Sequence, residues 1–210
     1  MTQTERRKYL IMALLKEQPQ YSEIEIPSSE KEQNILLRSL FNIRMPRLVT
    51  DEFLTIQDTY LQEEVRRKGI TSVSDLQPLQ QGIYLWQGDI TTLRCDGIVN
   101  AANSQLLGCF CPNHGCIDNA IHTFAGVQLR LACAELMRKQ GHEEETGKAL
   151  SLIHIFPVSY CAKRTSALLS GKPTAVPRYF CVIPRISLKK CILSPIAIMF
   201  HSLFMYLQIV

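Results

Sequence analysis

The sequence has no acidic residue in its last sixty positions. All 19 Asp and Glu side chains lie before residue 150, together with 16 of the 23 Lys and Arg side chains. Residues 1–150 therefore carry a formal charge of −3, and residues 151–210 carry +7. Soluble domains usually mix both signs of charge on their surfaces. The tail, which also has five prolines and no steady hydrophobic period, is not typical of such a domain.

Cysteine is too scarce for a disulfide scaffold, with 8 in 210 residues. Four of them fall within 22 residues, and three of these lie close to His114. In an intracellular chain this clustering favours metal binding or reactivity over disulfides. The basic residues Arg6, Arg7 and Lys8 imitate the start of a secretory signal, but the apolar run after them is short and has no cleavage site. We expect a cytoplasmic protein.

The first seventy residues predict three helices. Residues 5–17 are amphipathic, and a capping box at Ser29 and Glu32 begins a second helix. The third spans residues 51–68, with Gly69 just past its end. The apolar faces of these helices need a partner, most simply the domain that follows. A lid or a partner-binding module is the alternative.

The pattern changes near residue 80. Residues 83–87 predict a strand, residues 97–102 a buried strand, and residues 117–139 carry helical spacing. This order is the opening of an α/β fold, in which ligands bind at the carboxyl ends of strands.

The spacing Cys109-x4-His114-x-Cys116 offers thiolate and imidazole, the side chains that zinc prefers. Proline and asparagine between the first two favour a tight turn that brings all three together. Three protein ligands leave a fourth position for water or a substrate hydroxyl, as in catalytic zinc sites. Cys111 is a rival ligand, and the simpler alternative is buried cysteines beside a solvated histidine.

Polar residues flank this cluster. Asp89 could accept a hydrogen bond from an exocyclic amine such as that of adenine, and Asn100 and Asn103 suit ribose hydroxyls. Each of the three could instead stabilise a local turn. Asp118 opens a helix whose free N–H groups can bind phosphate, or it simply caps that helix. We assign His122 to capping or core contacts, outside the site.

The segments GDIT and IVNAANS resemble the opening signature of macrodomains, which bind ADP-ribose. Cys109, His114 and Cys116, followed by IDNAIH, resemble the zinc-dependent class of protein-ADP-ribose hydrolases, which also carries a helical N-terminal extension. The similarity covers about residues 1–149 and is strongest over 82–148. It implies Zn²⁺ as cofactor, held by these three side chains.

The resemblance also implies the other site residues. Adenine would meet Asp89 and Ile90, and the phosphates and distal ribose would lie beside Ile117 and Asp118. The implied ADP-ribose contacts are Asp89, Ile90, Asn103, Cys116, Ile117 and Asp118. The implied reaction releases ADP-ribose from a modified protein side chain, with Asn103 and Asp118 as catalytic residues that fix the sugar. The partners are then ADP-ribose and an ADP-ribosylated protein, and no motif indicates nucleic acid.

We therefore predict an α/β macrodomain with a mixed sheet between helices. Residues 1–75 form the helical extension, 76–149 a partial macrodomain and 150–210 the acid-free tail. Past residue 149 we find no glycine- and serine/threonine-rich turn to close over a diphosphate. Either the reading frame or the splicing changes near codon 149, or the tail is genuine. In the second case residues 191–210 are a weak candidate for a membrane span. A non-catalytic ADP-ribose-binding module and an inactive truncated product are the alternative functions.

Overall fold

The computed structural model of the chain describes residues 1–80, 83–95, 97–145, 148 and 150–151, with the backbone of 181–184 and 205–208. The α-helices of the described part are α1 (Gln3–Lys16), α2 (Glu30–Ile43), α3 (Asp51–Lys68), α4 (Ile117–Phe124) and α5 (Val127–Gln140). Short 3₁₀ turns lie at Pro19–Tyr21, Val73–Asp75 and Ile90–Thr92.

Side-chain caps begin each N-terminal helix. Thr2 starts α1, and Ser29 Oγ accepts from Glu32 N at 3.2 Å to start α2. Thr50 Oγ1 accepts from the N–H of Phe53 at 3.2 Å to start α3. At the other end of α3, Gly69 takes φ +84°, a left-handed conformation that glycine adopts without strain. The three predicted helices are thus confirmed, because their ends depend on local chemistry.

The three helices bury one apolar core between them. Its members include Leu10, Ile11, Leu14, Leu37, Leu40, Phe53, Tyr60 and Leu61. Val127 at the start of α5 is buried in the same core, and Phe124 of α4 packs against it. The extension therefore packs on the α/β part, which was the simplest expectation from the sequence.

The strands form three small sheets. Their bounds are β1 (Thr71–Ser72), β2 (Pro78–Gln80), β3 (Ile83–Trp86), β4 (Leu93–Arg94), β5 (Val99–Ala102), β6 (Leu150–Ser151), β7 (Cys181–Pro184) and β8 (Met205–Gln208). The strand orders are β1-β4, β2-β3-β8 and β5-β7-β6. Strand β5 pairs parallel with β7, with Val99 opposite Cys181, and β3 pairs antiparallel with β8. The sheet β5-β7-β6 is mixed, as predicted, because β6 pairs antiparallel with β7, whereas β2-β3-β8 is antiparallel throughout and β1-β4 is parallel.

Most of the tail lies outside the described residues, including the region where a diphosphate loop was sought. Of the candidate span 191–210, the described part is Met205–Gln208, which is strand β8. Within the described residues no helix has the length and apolar character needed to cross a membrane. The change of frame near codon 149 stays a prediction.

The helical spacing over 117–139 is split into two helices at Gly126. Its φ of +79° breaks the helix, and a side chain there would clash with Gln57 of α3. The Oε1 atom of Gln57 accepts from the N–H of Val127 at 3.0 Å. Gln57 of α3 thus caps the start of α5.

Candidate functional site

Residues 103–116, between β5 and α4, form what we call the metal loop. Two of its residues other than glycine have positive φ, Leu106 at 59° and Asn113 at 53°. Gly108 takes φ +82°, and an added Cβ there would lie 2.7 Å from Cγ of His122. The loop therefore runs against the His122 ring with room for no side chain at that point.

Cys109, His114 and Cys116 come together within this loop. Their potential ligand atoms all lie within 4.8 Å of one another, and Cys109 Sγ is 3.7 Å from His114 Nδ1. Tetrahedral zinc with bonds of about 2.0–2.3 Å separates its ligand atoms by roughly 3.3–3.8 Å. The donor types therefore suit a zinc ion, and the separation of Cys109 Sγ and His114 Nδ1 already matches a tetrahedral site. Cys111 is exposed and outside this group.

Cys116 has a second role as the N-cap of α4. Its Sγ accepts from the N–H of Asn119 at 3.4 Å. Burial raises the pKa of the Cys116 thiol, the Asn119 N–H opposes that rise, and nearby Cys109 raises the pKa further. Two thiols this close resist joint ionisation unless a cation lies between them, which is the chemistry of a metal-binding pair.

Asp118 faces strand β5. Its Oδ1 accepts from Asn100 Nδ2 at 2.7 Å, and only 5% of the residue is exposed. The interpretation of Asp118 as a helix cap is wrong, because Cys116 occupies that position. Asn100 is fully buried, so it holds Asp118 and does not present its amide to a ribose. Burial raises the pKa of Asp118, and the Asn100 amide and Arg130 oppose that rise.

Asp89 caps the 3₁₀ turn that begins at Ile90. Its Oδ1 accepts from Thr91 N at 2.9 Å, and its Oδ2 lies 2.8 Å from Lys68 Nζ. Burial raises the pKa of Asp89, but the bonds from Lys68 and Thr91 outweigh it and leave the pKa below its usual value. Ile90 is buried, and Ile117 packs against the same cluster. Asp89 therefore stabilises its own turn, and its carboxylate is still partly exposed to solvent.

Asn103 stands at the start of the metal loop and is exposed. Its Nδ2 donates to the carbonyl of Gly108 at 3.0 Å, which closes the first turn of the loop. The amide is thus fixed at the end of β5, on the same loop as the three metal-ligand candidates.

His122 is buried in the core, in line with the sequence-based assignment, and it lies directly beside Asp118. Its Nε2 lies 3.5 Å from Asp118 Oδ1, and 2% of its side chain is exposed. Among the described residues, neither ring nitrogen has a hydrogen-bond partner. Burial and the neighbouring Arg130 lower the pKa of His122 to about 3. The His122 ring is therefore neutral at pH 7 and lies, uncharged, beside the Asp118 carboxyl group.

Replacing His122 by glutamine should make the free energy of unfolding less dependent on pH in the acidic range. The pKa of about 3 in the folded chain lies below the usual 6.5, so the unfolded chain takes up the proton first. The stability that neutral His122 contributes is complete above pH 6.5 and is lost as pH falls toward 3. We expect the wild type to lose roughly 2 kcal/mol of unfolding free energy from this group between pH 6.5 and 5. Urea unfolding at both pH values measures it.

The control for this prediction is His142→Gln, because His142 is exposed. That variant should keep the wild-type dependence on pH. The raised pKa of Asp118 favours the folded chain as pH falls, which is opposite to the effect of His122. Asp118 is present in all three proteins, so the difference between their pH dependences reports on His122. Equal slopes for His122→Gln and the wild type would contradict the prediction.

Arg130 of α5 ties the base of the metal loop to α2. Its Nε donates to Leu107 O at 2.7 Å, and its Nη1 donates to Phe41 O at 3.0 Å and also to Arg44 O. The guanidinium lies 4.4 Å from the ring centroid of Phe110. Burial lowers the pKa of Arg130 to about 10, so it stays charged at neutral pH.

Comparisons with known proteins agree on one family. The family model for the Macro domain matches residues 99–153. A protein-ADP-ribose hydrolase of Treponema medium is 52% identical over 179 residues, which cover 83% of this chain and 69% of that protein. This alignment extends beyond residue 149. The protein of the same name from Staphylococcus aureus strain MRSA252 is 48% identical over 145 residues, or 69% of this chain and 54% of that protein.

A crystal structure of a Trypanosoma brucei macrodomain has a TM-score of 0.42 and 20% sequence identity, over 78% of this chain and 60% of that chain. That likeness is too weak to carry an argument. The Treponema medium relative is more than half identical, and the aligned part spans over two thirds of it. The chain therefore belongs to the macrodomain family, among the members named protein-ADP-ribose hydrolase.

Proposed function

We propose that this chain hydrolyses the bond between ADP-ribose and a modified protein side chain, at a zinc site made by Cys109, His114 and Cys116. One observation carries the proposal: these three side chains converge within 4.8 Å at the start of α4, beside Asp118. The names of the relatives support the substrate class, and the donor chemistry supports the metal. A zinc ion with three protein ligands supplies a Lewis acid and one open position.

The residues around the metal loop would hold the sugar. The exposed Asn103 amide offers both a donor and an acceptor for hydroxyls of the distal ribose. Asp118 would orient the same sugar from behind, in the environment set by Asn100 and His122. Fixing a substrate in this way supplies rate through orientation.

The remaining contacts would hold the nucleotide. Adenine would donate its exocyclic amine to the partly exposed Asp89 carboxylate, next to Ile90. The first turn of α4, at Ile117 and Asp118, has backbone N–H groups suited to phosphate oxygens. With these contacts the chain could still bind ADP-ribose after the metal is removed.

We also infer a cytoplasmic location. Cys109, Cys111 and Cys116 are free thiols in the structure. Such thiols persist as metal ligands in reducing compartments. The partners would be free ADP-ribose and an ADP-ribosylated protein, with no role for nucleic acid.

The test is ADP-ribose release from a modified protein by the purified full chain, with and without a zinc chelator. We expect release that the chelator stops. Asp118→Asn retains the shape of the side chain and its bond to Asn100, and should lower release by about 100-fold while zinc stays bound. Release that survives both chelation and Asp118→Asn would overturn this mechanism.

A non-catalytic ADP-ribose-binding module is the second candidate, favoured by the metal-independent contacts at Asp89 and the start of α4. Calorimetry with ADP-ribose separates the two. Binding without release supports the module, and binding with release supports the hydrolase. A chain that neither binds nor releases ADP-ribose is the inactive product.

A further inference from the structure

We propose that Arg38, on α2 of the N-terminal extension, is a positioning residue for the metal loop and sets its affinity for zinc. The proposal rests on the zinc site of the proposed function. It assigns the extension a part in the site, beyond packing.

Arg38 bonds to both sides of the loop. Its Nη2 donates to the backbone carbonyl of His114 at 3.0 Å. Its Nε and Nη2 donate to Asn119 Oδ1 at 3.2 and 2.9 Å. A planar guanidinium can hold two acceptors in fixed relative positions, which a lysine cannot do. Arg38 therefore fixes the distance between the backbone of one ligand and the first turn of α4.

Asn119 passes this restraint to the middle of the loop and to Cys116. It is fully buried, and its Nδ2 donates to the carbonyl of Cys111 at 3.0 Å. Its backbone N–H donates to Cys116 Sγ at 3.4 Å. Asn119 thus connects Arg38 to the middle of the loop through its side-chain amide, and to the Cys116 thiol through its backbone N–H.

The same helix holds the loop at a second place. Asn42 Oδ1 accepts from the N–H of Asn113 at 2.9 Å, and Ser39 Oγ accepts from Asn113 Nδ2 at 2.5 Å. Asn113 precedes His114 and has φ +53°, a conformation with a steric cost for most residues. The turn before His114 is therefore stabilised from α2, in addition to the backbone bond from His114 N to Cys111 O at 3.2 Å within the loop.

These contacts matter because the ligands stand on an exposed loop. His114 is exposed, and Cys109 and Cys116 are half-buried. Ordering a free loop costs backbone conformational entropy at every residue that is fixed. Partners that orient ligands in this way typically change metal affinity by about 10–100-fold.

The experiment uses the full chain with Arg38→Met, which retains the aliphatic stem and removes the donors. Zinc affinity is measured by competition with a chromogenic chelator, and the midpoint of thermal unfolding is measured on metal-free protein. We expect zinc binding about 10–100-fold weaker, with a metal-free unfolding midpoint within a few degrees of wild type. Arg38→Lys should recover part of the affinity, because it can donate to one acceptor.

The control is Arg66→Met, on α3, whose guanidinium pairs with Glu63 on the same helix and is 56% exposed. It should leave zinc affinity unchanged. Wild-type affinity in Arg38→Met, or equal losses in Arg38→Met and Arg66→Met, would overturn the proposal. If Arg38→Met does not fold, wild-type affinity in Arg38→Lys overturns it instead. A wild-type chain that binds no zinc would remove the zinc mechanism as well, which separates the two failures.

Discussion

Replacing Cys116 by serine is expected to abolish zinc binding and to reduce ADP-ribose release by more than about 100-fold. Altering a group that only orients a zinc ligand already costs roughly 10–100-fold, and Cys116 would be a ligand itself. Serine can still cap α4, because its Oγ can accept from the N–H of Asn119 as Cys116 Sγ does, so the expected losses report on the metal site and not on the helix. Zinc content by atomic absorption and release from a modified protein measure the two effects.

The matched control is Cys111→Ser, in the same loop. Cys111 is exposed, and its side chain lies outside the group formed by Cys109, His114 and Cys116. We expect wild-type zinc content and near wild-type release. Full zinc content in Cys116→Ser, or loss of zinc in Cys111→Ser, would contradict the assignment of the ligands.

Replacing Arg130 by alanine is expected to have the largest effect on stability, about 3–5 kcal/mol. The change leaves three backbone carbonyls without their donor, those of Phe41, Arg44 and Leu107. Each buried acceptor left unpaired costs about 1–3 kcal/mol, and the cation contact with Phe110 is also lost. Urea unfolding of metal-free protein at pH 7 measures the change.

Arg138→Ala is the control on the same helix. Arg138 is 70% exposed and pairs with Glu135 one turn away, so its removal should leave the unfolding free energy close to the wild-type value. The loss of unfolding free energy in Arg130→Lys should lie between those of Arg130→Ala and Arg138→Ala, because lysine retains the positive charge and can donate to one of the carbonyls. A loss below about 1 kcal/mol for Arg130→Ala would show that the carbonyls find other partners.

The sequence predicted those parts of the molecule that depend on neighbours along the chain. Ser29 and Gly69 mark helix ends by bonds or backbone angles that involve the next few residues. The spacing of Cys109, His114 and Cys116 correctly predicted that these side chains come together, because the first and the last are only seven positions apart. Strand β5 is two residues shorter at its start than the apolar run that predicted it.

Contacts between distant residues could not be predicted in this way. Arg38 and Asn119 are 81 positions apart, and neither residue type indicates the other. Asp118 resembled a helix cap because an acid near the start of a helix often is one. Cys116 took that position, and Asp118 instead meets Asn100, 18 positions earlier. His122 was assigned to capping or core contacts, and it is buried in the core, but its place behind Asp118 depends on how α4 docks on the sheet.

The bonds between α2 and the metal loop also have a consequence for the order of folding. Helices α1, α2 and α3 are contiguous in sequence and share one core, so they can assemble as they leave the ribosome. Asn42 and Asn113 are 71 positions apart, and closing so long a segment is slow. The metal loop is therefore expected to be ordered late, after α4 docks. Until then the nascent chain would hold reduced thiols without a fixed arrangement, so we expect zinc to load at the end of folding and not to nucleate it.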